Sequence, residues 1–321
     1  MFKDMRMKGH QHEANRFTVA LTPRQFLRYG FGFLWLVDGV LQAQPTMFSP
    51  DFYANYPNNI MESLLQSVAD DQPAWLADAI HWGARVWGQH PVWSNLLAIA
   101  VQVAIGFFML VRVPKKFEQV VLWISIVWAL IVWFFGEGMG GVFVGSSFFD
   151  GWPGAALLYA ITAGFLLLPE RLLSKARLRL TLRWGLAVYW LIMAVIQALP
   201  DTGFWQGEQM MNQFTNTATL PQPRLLSVPI QQFSIFSSHH PLVWNSIFVG
   251  LMFFLSIYYA MDLHHRLFSA VVFVWLAWSW WFGQDFGGVY SGMGTDFNSI
   301  AVIILWTITS WILYRQRRTT L

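Results

Sequence analysis

Two glycine-rich segments hold the densest set of residues able to do chemistry. The first reads Gly136-Glu137-Gly138-Met139-Gly140-Gly141-Val142-Phe143-Val144-Gly145. The second reads Gly283-Gln284-Asp285-Phe286-Gly287-Gly288-Val289-Tyr290-Ser291-Gly292. Four glycines fall at matching positions, and each segment keeps one acid near the same place, Glu137 or Asp285. A carboxyl group at the edge of an apolar bundle can accept a proton or hold a cation. It can equally bind glycine amides and fix a loop, and the sequence leaves both readings open. The Gly-x-x-x-Gly spacings would let helix backbones approach closely. Glycine also permits a turn or a re-entrant stretch. Asp150 and Asp296 follow the two segments as a further matched pair.

Asp38 stands apart, flanked by Val37 and Gly39 inside a long apolar run. An acid there should face the interior of a helix bundle and find a partner. Gln42 lies one turn onward on the same face, and Gln197 is its counterpart later in the chain. Glu137, Asp285 and Asp38 are therefore the candidate proton-handling residues. His81, His90, His239 and His240, with several methionines, offer copper-type ligands, but no compact ligand spacing joins them, and no metal site is predicted. The chain has no cysteine, which removes disulfides and thiolate ligands. It carries no nucleotide-binding loop, nucleophile elbow or zinc helix, and no nucleic-acid partner is expected.

The elements that must position these residues occur twice. Arg28-Tyr29-Gly30 opens an apolar run ending in Gln42-Ala43, and Arg183-Trp184-Gly185 opens another ending in Gln197-Ala198, 155 residues on. His90-Pro91 recurs as His240-Pro241 at an offset of 150, and Trp133-Phe134-Phe135-Gly136 recurs as Trp280-Trp281-Phe282-Gly283 at 147. Three anchors in one order predict two copies of one unit, residues 1–180 with an N-terminal arm and residues 181–321.

Of the 321 residues, 55% are hydrophobic and 12% charged, half the charged share of a soluble domain, roughly 25%. Apolar runs of about bilayer length fall near 26–43, 94–112, 117–136, 153–169, 184–199, 243–261, 267–283 and 298–314. Eighteen of the 20 Lys and Arg lie on one side of these runs, and 11 of the 17 acids on the other. The bias predicts an inner-membrane, multi-pass protein with both termini cytoplasmic. Four runs per copy make the repeats parallel, about an axis along the membrane normal. The outer loops 44–93 and 200–242 show helical spacing with polar opposite faces, as at Ile60, Met61, Leu64, Leu65 and Val68. They predict amphipathic helices capping the bundle. The expected fold is thus all-α: eight transmembrane helices as two parallel four-helix repeats under an outer helical cap.

Each copy resembles a DoxX/DoxD-type four-helix membrane module. The resemblance rests on Arg28-Tyr29-Gly30-Phe31-Gly32-Phe33-Leu34-Trp35 with Gln42 and Pro45, and on Gln102 to Leu110; Arg183 to Pro200 repeats the first element. It implies a membrane subunit of a quinone-linked respiratory or sulfur-oxidising assembly, with other membrane or periplasmic redox subunits as partners. A quinone would then meet Gln42, Gln197 and Gln284, with Trp133 and Trp280 beside the glycine segments. A carrier for a small solute, cation or lipid, and a purely structural subunit, are the alternatives.

Overall fold

The computed structural model describes residues 21–54, 59–169 and 174–318. The basic arm before residue 21, and Arg171 in the link between the copies, lie outside the described residues. Every regular element among those described is helical. Helices form at all eight apolar runs: α1 (Pro23–Gln42), then α4 (Pro91–Leu110), α5 (Lys115–Ile131) and α6 (Ala155–Leu167) in the first half. The second half supplies α7 (Lys175–Ala198), α10 (Pro241–Ala260), α11 (Arg266–Phe282) and α12 (Asn298–Arg318). The outer loops fold as expected into helices, α2 (Ile60–Ala69) with α3 (Ala74–Gln89), and α8 (Gly207–Thr219) with α9 (Arg224–Ser238).

Five of the eight, namely α4, α5 with its final turn, α7, α10 and α12, are long and apolar enough to cross a membrane. A sixth qualifies if α11 and the stretch Asp285–Ser291, bent by 52° from it, form one broken span. The 13 residues of α6 reach only about 20 Å, and α1 carries Arg24, Arg28 and Asp38. Many apolar side chains on these helices are exposed, including Phe107, Trp123, Val127, Val188, Phe253 and Val274, as expected of lipid-facing surface.

Several contacts occur twice. Gln42 Nε2 donates to Asn95 Oδ1 at 2.5 Å, and Gln197 Nε2 to Asn245 Oδ1 at 2.8 Å, both pairs buried. Arg28 caps the end of α4 through the Phe108 and Val111 carbonyls, and Arg183 caps α10 through the Ala260 carbonyl. Trp133 donates to Pro153 O at 2.8 Å and Trp280 to Phe297 O at 2.7 Å. These pairings match Pro153 with Phe297. Between Gly145 and Pro153 the first copy has three more residues than the stretch from Gly292 to Phe297; in that longer loop Asp150 accepts hydrogen bonds from the amide and hydroxyl of Ser147.

The close helix approach is not made by the glycine-rich segments. Gly138, Gly140, Gly141, Gly145, Gly287, Gly288 and Gly292 all take positive φ and build left-handed turns. Backbones meet instead where α1 crosses α4: a Cβ on Gly106 would lie 2.6 Å from Leu36 N and 2.8 Å from Gly32 O. Gly164 on α6, by contrast, has open space around it. Replacing Gly106 by Val should lower stability in detergent by about 1–3 kcal/mol through overpacking. Gly164→Ala should be neutral or stabilising, and thermal unfolding of the two variants compares them directly.

Candidate functional site

The Trp35, Asp38 and Gln42 side chains, at i, i+3 and i+7 on α1, share one helix face and line a cavity of about 520 Å³. Its walls are the inner faces of α4, α5 and α6, and its roof is the helices α2 and α3, through Met61, Leu65, Trp82 and Trp87. The amphipathic outer loops therefore shape a cavity as well as covering the bundle. The remaining wall comes from the other half of the chain, as Met293, Thr295 and Asp296.

Three carboxyl groups face this space: Asp38, Glu137 and Asp296. Asp38 is 3% exposed; the Tyr159 side chain lies beside its carboxylate, and Oδ1 has no hydrogen-bond partner. Tyr159 also packs edge-on to Trp35, ring centroids 4.7 Å apart. Glu137 follows a wide turn in which its own N–H bonds back five residues to Val132 O at 3.1 Å. Such turns often mark functional positions in helices. Its carboxylate accepts the Ala156 N–H at 3.1 Å at the start of α6, where the helix dipole favours negative charge. Burial nevertheless pushes the Glu137 carboxyl up to about 8, Asp296 nearby adds to the rise, and the Ala156 and Ala155 amides oppose it. Glu137 keeps some accessible surface, and it lies on the cavity lining. Burial also raises Asp296, against the Asn298 amide and the Thr295 hydroxyl that bond to it.

Of the residues expected from the sequence, Asp38, Glu137 and Gln42 meet in the cavity. Asp285, Gln197, Gln284, Trp133 and Trp280 do not line it. Asp285 is fully buried in the second half at φ 42°, with no hydrogen bond to either carboxylate oxygen. Gln284 holds the loops together, donating to Phe148 O at 3.2 Å and Ser299 Oγ at 3.0 Å. Trp133 and Trp280 spend their indole N–H groups on backbone carbonyls. The sequence reading did not single out Tyr159 or Gln102, and it treated Asp296 only as a loop match. Gln102 is 7% exposed, lines the cavity and has an unpartnered Oε1. Among the described residues, no group of three or more His, Cys, Asp or Glu side chains is arranged to hold a metal ion.

The corresponding positions of the second half are filled differently. By the paired contacts, Asp38 corresponds to Met193, Ala98 to Phe248, Gln102 to Met252, Ile131 to Trp278, Glu137 to Gln284 and Tyr159 to Ile303. Phe149, from the loop after the first glycine segment, packs into this region with its ring centroid 4.9 Å from Phe248. Each half thus sends its loop into the other. Thr46 bonds to Gly292 O, and Gln44 Nε2 to Gly294 O at 3.1 Å. A Cβ on Gly287 would collide with Asp296 O, so glycine is required there to seat the loop carrying that acid.

A carboxyl whose folded pKa lies above its unfolded value binds more protons when folded. The protein should therefore lose stability as pH rises from near 4.5 to about 8. Thermal melts in detergent should show this decline, and Glu137→Gln should flatten it; an identical slope in the variant would remove Glu137 from the account. No family model matches this chain, and it has no match among curated proteins or solved structures.

Proposed function

We propose that the chain is an inner-membrane protein of two tandem, parallel four-helix units, both termini cytoplasmic, with one working ligand cavity on the outer side. Support for the duplication comes from the paired contacts of Gln42 and Gln197, Arg28 and Arg183, and Trp133 and Trp280. Support for the orientation is the basic bias of the connections. The observation that carries the functional reading is the convergence of Asp38, Glu137 and Asp296, from both halves, on a single aromatic-walled cavity. The counterparts of Asp38 and Glu137, Met193 and Gln284, carry no acid.

The ligand that fits this chemistry is a quinol, as in a subunit of a quinone-linked respiratory or sulfur-oxidising assembly. The DoxX-like character of Arg28 to Trp35 points the same way. Asp38 Oδ1 and Gln102 Oε1 are unpartnered acceptors for ring hydroxyls, and Trp128 lines the cavity with an unpartnered indole N–H for a carbonyl oxygen. Trp35, Trp82 and Phe135 supply flat apolar walls. A bound quinol supplies two electrons and two protons. The electrons pass to a redox partner on the outer face, because the chain has no cysteine and no evident haem-ligand pair. Asp38 takes one proton, while Glu137, mostly protonated at neutral pH with its midpoint near 8, passes its own proton outward as it receives the other; their place beneath the outer cap gives a short route to the outer water.

A second reading, a carrier for a small organic cation, is favoured by the absence of Lys, Arg and His among the residues lining the cavity. Aromatic rings beside carboxylates suit such a ligand.

Purified protein should retain quinone on solvent extraction. Retention should fall by about tenfold or more in Asp38→Asn and in Ala98→Phe, which imports the second half's ring, a change worth about 1.4 kcal/mol. Protein that holds no quinone, and accumulates an organic cation in proteoliposomes without a redox partner, would establish the carrier instead.

A further inference from the structure

At the opposite end of the second half, a groove of about 610 Å³ runs between the start of α11 and the end of α12. Arg266 and Arg315 stand on it, with Ser269, Ala270, Phe273, Trp311, Tyr314 and His264 completing the lining. Four arginines on this side are engaged with the protein, whereas the exposed Arg112 stands outside this groove. Arg28 pairs with Glu118 at 3.3 Å, Arg179 pairs with Asp262, Arg24 bonds to Leu166 O, and Arg183 bonds to Ala260 O. Arg266 and Arg315 have no carboxylate within ion-pair distance among the described residues, and both side chains are exposed. The Arg315 guanidinium lies 3.7 Å from the centroid of the Trp311 ring, which holds it flat and leaves its edge free to meet an anion.

His264 adds no competing charge at neutral pH. Burial, helped by Arg179 and Arg183, lowers it to about 4, and it stacks on Tyr314 at 4.3 Å. The Ser269 hydroxyl is taken by Tyr258 at 2.9 Å. Arg266 and Arg315 are therefore the charged groups of the groove without a carboxylate partner among the described residues, and Ala270, Phe273 and Trp311 make much of its wall apolar.

We propose that this groove holds an anionic phospholipid, its phosphate between Arg266 and Arg315 and an acyl chain along Ala270 and Phe273. Two cations over an apolar slot at the cytoplasmic edge of a membrane helix pair complement such a headgroup. A free phosphate would engage the guanidiniums alone and gain nothing from the apolar wall. The site goes beyond the outer cavity and shares no residue with it, so failure of either proposal leaves the other standing.

Native mass spectrometry of the full chain in mild detergent, titrated with phosphatidylglycerol or phosphatidylcholine, tests this. The wild type should retain one phosphatidylglycerol more tightly than phosphatidylcholine, by about tenfold or more. Arg266→Gln with Arg315→Gln should abolish the preference, while Arg266→Lys with Arg315→Lys should keep part of it. Equal retention of the two lipids by the wild type would overturn the site whether or not the variants fold. Displacement of phosphatidylglycerol by millimolar inorganic phosphate would show an anion site that does not select lipid.

Discussion

Carboxyl groups facing one small cavity inside a helix bundle repel one another, and each loses hydration that protein groups must replace. The first half of this chain is arranged around that cost. Glu137 sits at the start of α6, where the Ala156 amide and the helix dipole meet it. Asp38 has the Tyr159 side chain beside it, and Asp296 is held by the Asn298 amide and the Thr295 hydroxyl. Each acid thus has a polar neighbour, yet the cavity keeps unpartnered acceptors in Asp38 Oδ1 and Gln102 Oε1. Unpaired buried acceptors are expensive to keep, which is the physical reason to expect a ligand or protons there.

The second half holds apolar side chains at the positions matched to Asp38 and Gln102, although Asp285 is buried elsewhere in it. Met193, Met252, Phe248 and Trp278 stand where Asp38, Gln102, Ala98 and Ile131 line the cavity. Phe149 joins them with 1% exposure, and its ring lies within about 6 Å of Phe204, Phe214, Phe248, Trp275 and Trp278. Packed rings contribute through buried area and edge-to-face geometry, and a rigid second half is a firm anchor for the loop that carries Asp296. Loop exchange couples the two: Gln284 Nε2 reaches Phe148 O, while Thr46 and Gln44 hold the loop from Gly292 to Gly294. The acid cavity therefore needs both halves, although most of its lining belongs to one.

Much of this was legible in the sequence because it is periodic or local. The eight apolar runs, the capping helices and the shared face of Asp38 and Gln42 follow from hydrophobic spacing and from the helical period. Glu137 stood out because an acid at the end of an apolar run is costly to bury without a partner. Asp296 was harder, since its role comes from a contact with residues more than 150 positions away. Its sequence match is Asp150, which holds its own loop through the Ser147 amide and hydroxyl and does not line the cavity. Asp285 drew attention by the same local rule as Glu137, but its turn directs it into the second half. Tyr159 and Gln102 were hidden because a tyrosine or glutamine in an apolar helix carries no signal until its neighbours are known.

The central claim is that an acid from the second half faces Glu137 across one cavity and shapes its ionisation. Infrared titration of the Glu137 carbonyl band, assigned by difference from Glu137→Gln, measures that directly. A midpoint near 8 in the wild type that drops in Asp296→Asn is the predicted result. A Glu137 midpoint indifferent to Asp296 would contradict the account.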